Sequence, residues 1–438
     1  MRAYNPGKAA SNKTFPLRGR LHCVKLLIPR VLMPPQSVSV RPFAWAWLAY
    51  TSLILLLAAC FWIPSGLYKD FDFRSMYAAG VLARTDPSHL YDPVRQKQVQ
   101  DDLVGKRDQS IPFGHLAHDA LLYVPLSFLN YRRAYVSVVL CNAILVVLCF
   151  LAARKEFSET IPLWQPRAGF IFFTFMPTMI TLAQGQDSLL LLLILCLAWK
   201  QLDRSQDFAA GLVLANLLLK PHLALLMALF VAVRYGWRFV AGFVTGAAAI
   251  TAICLPFWLH GGWRAWLGVL SSLTLVSGHS QSQEAAMGIY SWAMPNLRGA
   301  FLLLLGKVLS AHVLFGVVCL GSLLLLVWGL VAVRKLSARN AFAFSILVTT
   351  LLSYNLEPHD LVILLLPMVL IGRDATKALA RCRDVMLGLP IALLIYAPST
   401  PPGAGFTLMS APLFASAFAL GWGAAGENGD AAEHRREE

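Results

Sequence analysis

The chemistry this chain can perform is concentrated in a few polar residues set among long apolar runs. Asp72 sits in Phe71-Asp72-Phe73-Arg74-Ser75, just after the first membrane-length apolar run, and no acidic residue precedes Asp70. Gln184-Gly185-Gln186-Asp187, Lys220-Pro221-His222 and Glu357-Pro358-His359-Asp360 interrupt later runs in the same way. Ionisable groups at membrane depth are costly and mark function by default. One carboxylate can take the proton of an attacking hydroxyl, while Lys and His can steady a departing phosphate in a low-dielectric site. That combination suits transfer of a group from a lipid phosphate to a hydroxyl. Neither Gly-x-x-x-x-Gly-Lys-Ser/Thr nor Gly-x-Gly-x-x-Gly after a strand occurs, so a lipid-linked donor is expected in place of ATP or a soluble nucleotide sugar.

Each of these residues also has a plainer reading. Asp187 before Ser188 suits a helix N-cap, Lys220 a side chain snorkelling to a headgroup, and Asp72 a solvated loop charge. Asp360 also suits a cap, with His359 held by a backbone carbonyl. Their placement on one side of the membrane favours the functional reading.

The elements that must position them follow from composition and charge. At 438 residues, 57% hydrophobic and 14% charged, with a mean hydropathy of +0.61, the chain is too apolar for a soluble globular protein. The expected fold class is all-α: a polytopic membrane protein. The net charge of +14 lies in short clusters between apolar runs, so it reads as a topogenic signal, and nucleic acid is not expected as a partner. Lys and Arg near span ends stay cytoplasmic, which puts the basic arm carrying Arg2 to Arg41 inside and Asp72 outside.

Spans are expected near 43–64, 132–153, 166–183, 186–202, 207–219, 222–234, 238–258, 310–333, 341–356, 359–372, 385–398 and 408–423, about twelve crossings or part-crossings. The assigned inside loops hold Arg154 and Lys155, Lys200 and Arg204, Arg234 and Arg238, Arg334 to Arg339, and Arg373 to Arg383, all basic as required. The runs flanking Lys220-Pro221-His222 are too short for upright spans. They read as a broken hairpin whose polar tip lines a cavity, with Pro221 ending the first arm.

The expected organisation is a disordered basic arm (1–42), a membrane domain (43–423) with large outer segments at 65–130 and 259–299, and a polar tail (424–438). The outer segments are expected to cap the outer face as short interfacial helices. Trp258, Trp263, Trp266 and Trp292 suit an interfacial belt. The eight cysteines avoid the large outer segments and show no Cys-x-x-Cys or zinc spacing, so no disulfide framework, metal or cofactor is expected.

The stretch Asp72-Phe73-Arg74-Ser75-Met76-Tyr77-Ala78-Ala79-Gly80, continuing to Leu90-Tyr91-Asp92, resembles the signature of glycosyltransferase family 87. The Gly185-Gln186 turn, the Leu219-Lys220-Pro221 break and the His359 segment recur in the family's order, so the resemblance spans roughly residues 43–372. It implies a GT-C-like helical bundle using a polyprenyl-phosphate sugar, with a glycan or glycolipid acceptor among membrane lipids, multi-pass in the cell membrane. It also implies that Asp72 is the general base, in preference to Asp70, which would point to nearly the opposite side of a helix. Substrate-binding roles are then expected for Tyr123, Gln186, Asp187, Lys220, His222, Asn296, Glu357, His359 and Asp360. Two departures touch acceptor-side loops: Tyr123-Val124-Pro125 has one proline where the family often has two, and Met294-Pro295-Asn296-Leu297 replaces an Asn before a Ser-containing helix start. The sugar, mannose or a pentose, is less defined than the reaction. A transporter or flippase of a lipid-linked or small solute is the alternative, since broken helices and buried charges serve transport as well; an inactive scaffold is a third reading.

Overall fold

The computed structural model describes residues 63–107, 110–156, 175–274, 293–371 and 404–421, with isolated positions between 49 and 61 and at 385–386. The basic arm, most of the expected spans 43–64 and 385–398, the first half of the span 166–183, residues 275–292 with Trp292, the basic loop Arg373 to Arg383 and the tail lie outside the described residues.

Among the described residues every regular element is helical. In chain order they are α1 (Phe73–Thr85), α2 (Pro93–Val104), α3 (Ala117–Tyr123), α4 (Tyr131–Ala152), α5 (Met176–Gln184), α6 (Ser188–Asp203), α7 (Asp207–Ala215), α8 (Pro221–Tyr235), α9 (Trp237–Trp258), α10 (Gly262–Thr274), α11 (Leu297–Leu305), α12 (Ala311–Val333), α13 (Ala338–Leu352) and α14 (Leu365–Leu370). A last apolar helix, α15, covers Thr407–Gly421. Three of them, α4, α9 and α12, are long and apolar enough to cross a membrane, and they coincide with the expected spans 132–153, 238–258 and 310–333. The shorter apolar helices have 10–17 residues, below the roughly 20 a hydrocarbon core requires. The expected set of twelve therefore reduces, among the described residues, to three full-length helices and several of part-spanning length.

Helix α1, in the first outer segment, buries Phe73 through Gly80 and Leu82, so it packs into the protein core. Its small residues permit this: a Cβ on Gly80 would stand 2.7 Å from the Tyr123 carbonyl carbon, which brings α1 directly onto the end of α3. On another side, aromatic rings fasten it to α4. The Phe73 and Tyr131 rings stack at 5.5 Å, and the Tyr77 hydroxyl donates to Leu129 O at 2.6 Å. Burying such side chains contributes on the order of 1.5–3 kcal/mol each.

Close approach also governs the α7–α9 crossing. Gly211 faces the Phe239 carbonyl, Gly242 faces the Phe208 backbone, and a Cβ on Gly246 would meet the Ala215 Cβ at 2.6 Å. Small residues at four-residue spacing let two helices approach backbone to backbone, the packing that membrane helices favour.

Two proline breaks shape the end of the bundle where the polar residues lie. A residue before proline is driven out of the helical region, and Pro at the first helical position starts a new helix without losing a bond. Lys220 accordingly adopts φ −121°, ψ 91° between the 3₁₀ turn Asn216–Leu219 and α8. Glu357 repeats the device at φ −91°, ψ 158° before the 3₁₀ helix Pro358–Leu364, which runs into α14. At the other end of these helices Lys155 Nζ pairs with Asp203 at 2.8 Å, Arg234 Nε donates to Leu336 O at 3.3 Å and Arg339 Nε donates to Leu370 O at 2.7 Å.

Candidate active site

A cavity of about 400 Å³ opens where the start of α1, the α5–α6 turn and both proline breaks converge. Small-molecule sites commonly occupy about 300–1,000 Å³. Its walls include Asp72, Gln186, Lys220, His222, Glu357 and His359, drawn from stretches far apart in the chain.

Asp72 occupies the N-cap position of α1, yet its side chain caps nothing. It is held instead by Gln186, whose Nε2 donates to Asp72 Oδ2 at 3.1 Å. Gly185 makes that contact possible. With φ +66° it closes α5 in the left-handed conformation, and a Cβ there would press to 3.1 Å on the Phe73 Cβ. The Gln186 backbone is tied down by Asn142, whose Nδ2 donates to Gln186 O at 2.9 Å. Asp70 is directed elsewhere: it pairs with Arg107 Nε at 2.9 Å and stays half exposed.

Lys220 is buried at 5% exposure, so the snorkelling reading does not hold. Its Nζ donates to Asp360 Oδ1 at 2.5 Å and stands 3.4 Å from His359 Nε2. Asp360 Oδ1 also accepts from Ser188 Oγ at 2.7 Å, and Asp360 Oδ2 accepts from the Glu357 N–H at 3.3 Å. With its proton on Nδ1, His359 donates to Gln184 Oε1 at 2.8 Å, a side-chain partner in place of the expected carbonyl. Among the described residues His222 Nε2 has no hydrogen-bond partner.

Glu357 sits beside Asp72 and Asp360 in the wall. Burial first, then the charges of Asp72 and Asp360, push its carboxyl up to about 8, so near neutral pH it keeps a proton and can donate a hydrogen bond.

Three expected residues, Tyr123, Asn296 and Asp187, are not in the cavity wall. Tyr123 is buried with its ring against Phe73, centroids 6.3 Å apart. Asn296 is fully buried and structural: its Oδ1 accepts from the Gly299 N–H at 2.8 Å, capping α11, and its Nδ2 donates to Ser353 O at 2.7 Å. Asp187 lies behind the wall with Oδ1 3.7 Å from Lys220 Nζ. Although it precedes Ser188, it makes no cap hydrogen bond.

His115 and Asp119 are site residues that sequence reasoning did not single out. His115 lines the cavity and its Nδ1 lies 2.5 Å from Oδ2 of the fully buried Asp119. For His115, burial acts to lower the pKa, but the charge and hydrogen bond of Asp119 carry it upward. For Asp119, burial raises the pKa against the pull of His115. The signal was the four-residue spacing of His115 and Asp119 in the run His115-Leu116-Ala117-His118-Asp119.

The model of glycosyltransferase family 87 matches residues 118–356, more than half of the chain. This chain belongs to glycosyltransferase family 87. Membership implies a glycosyltransferase, with a donor and an acceptor substrate. The family-87 match takes in Asp119, Gln186, Asp187, Lys220 and His222, stops just before Glu357, and leaves Asp72 upstream. No curated protein and no solved structure matches the chain.

Proposed function

We propose that this family-87 chain moves one sugar, mannose or a pentose, from a polyprenyl phosphate to a hydroxyl of a glycan or glycolipid at the non-cytoplasmic face of the cell membrane. The observation that carries this reading is that the Asp72 carboxylate and the Lys220 ammonium line one cavity. An acceptor oxygen attacks the anomeric carbon from the side opposite the phosphate, and its proton passes to Asp72. The bond from the anomeric carbon to the phosphate oxygen breaks, and the electron pair stays on that oxygen. Lys220, with His222 or His359, stabilises the departing phosphate. A single displacement of this kind inverts the anomeric centre.

The remaining residues suit positioning. Gln186 orients Asp72 by its hydrogen bond, protonated Glu357 can donate to a sugar hydroxyl, and Asp360 with Asp187 keeps Lys220 charged and in place. The outer-face assignment is supported by the basic residues Lys155, Arg234 and Arg339, whose contacts lie at the helix ends opposite the cavity.

Purified protein given a radiolabelled polyprenyl-phosphate sugar tests the reaction. Acceptor-dependent consumption of donor, with an inverted linkage in the product, is expected; movement of intact donor across a liposome without consumption would overturn the proposal in favour of transport.

A further inference from the structure

Beside the cavity, one potential ligand atom from each of His115, Asp119 and Asp187 lies within 4.8 Å of the other two. All three belong to segments pinned by other contacts. Asp119 is fully buried on α3, and the Asp187 side chain is 3% exposed at the start of α6.

The carboxylate oxygens in this cluster are under-used. Asp119 Oδ1 and both oxygens of Asp187 are buried without a hydrogen-bond partner among the described residues. Lys220 hydrogen-bonds Asp360 at 2.5 Å and reaches Asp187 Oδ1 only at 3.7 Å, an ion pair that leaves the Asp187 oxygens without a hydrogen bond. Buried carboxylates left in that state cost free energy, and buried charges are therefore paired or bind metals. A divalent cation gives these three oxygens and the neighbouring imidazole a common partner.

We propose that His115, Asp119 and Asp187 bind one divalent first-row transition ion, Mn²⁺ or Zn²⁺, at the wall of the cavity. An imidazole with two carboxylates is a donor set these ions accept, and three protein ligands leave a coordination position open. The site stands on this cluster alone and is independent of the transfer reading.

The test uses the full-length protein in detergent, stripped with a chelator and titrated with Mn²⁺ under electron paramagnetic resonance, with Zn²⁺ content measured by elemental analysis. Wild type is expected to take up one equivalent. His115→Gln and Asp187→Asn are expected to weaken uptake by at least about 100-fold, while His89→Ala, which alters the exposed Asp86–His89 pair, is expected to leave it unchanged. Absence of saturable uptake of both ions by wild type overturns the proposal even if the variants fail to fold. So does uptake by folded His115→Gln equal to that of wild type. The readout requires no turnover, so its failure is distinct from a failure of sugar transfer.

Discussion

At the scale of single residues, the two acidic side chains two positions apart have separate fates that follow from their neighbours. Asp70 faces solvent and Arg107, whereas Asp72 faces the cavity under the control of Gln186. Glu357 gives this scale a pH signature. Its folded-state pKa, raised to about 8 from the ordinary glutamate value of 4.5, means that the folded protein holds a proton the unfolded chain releases. Its stabilisation is complete below about 4.5 and lost as pH rises through about 8. Melting temperatures in detergent between pH 5 and 9 should fall more steeply for wild type than for Glu357→Gln; parallel curves would refute the assignment. Much of this level was legible in the sequence, because Lys220-Pro221 and Glu357-Pro358 are local devices whose effect on the backbone does not await the rest of the fold. The His115–Asp119–Asp187 cluster was not legible, since no spacing in the chain announces that α3 meets the start of α6.

At the scale of elements, the apolar runs that became α4, α9 and α12 were readable from length alone. The burial of helix α1 was not readable, because α3 and α4 cover it and only tertiary packing reveals that cover. The closest crossing, α7 on α9, rests on glycines with no space for a side chain. Gly242→Leu should therefore cost at least about 1–3 kcal/mol of stability. Val244→Leu, two residues along the same helix at a 57% exposed position, should stay within about 0.5 kcal/mol. Thermal unfolding of both in one detergent checks this, and equal stability would show that the crossing is not as tight as described.

At the scale of the whole molecule, the polar residues gather at one end of the helices while the basic loops make their contacts at the other. On the proposed topology, Val94→Cys, at a 67% exposed position of α2, should react with a membrane-impermeant maleimide on intact cells. Ser205→Cys, at the far end of α6, should gain label over wild type only after permeabilisation. Labelling of both from one side would reverse or break the topology. On the proposed mechanism, the sugar moves in the cavity shared by Asp72 and Lys220. The most direct test compares Asp72→Asn and Asp70→Asn, in liposomes supplied with polyprenyl-phosphate sugar and acceptor. Asp72→Asn is expected to lower turnover by about 10²–10⁴-fold with melting temperature unchanged, while Asp70→Asn stays close to wild type; undiminished turnover by Asp72→Asn would show that another group takes the proton.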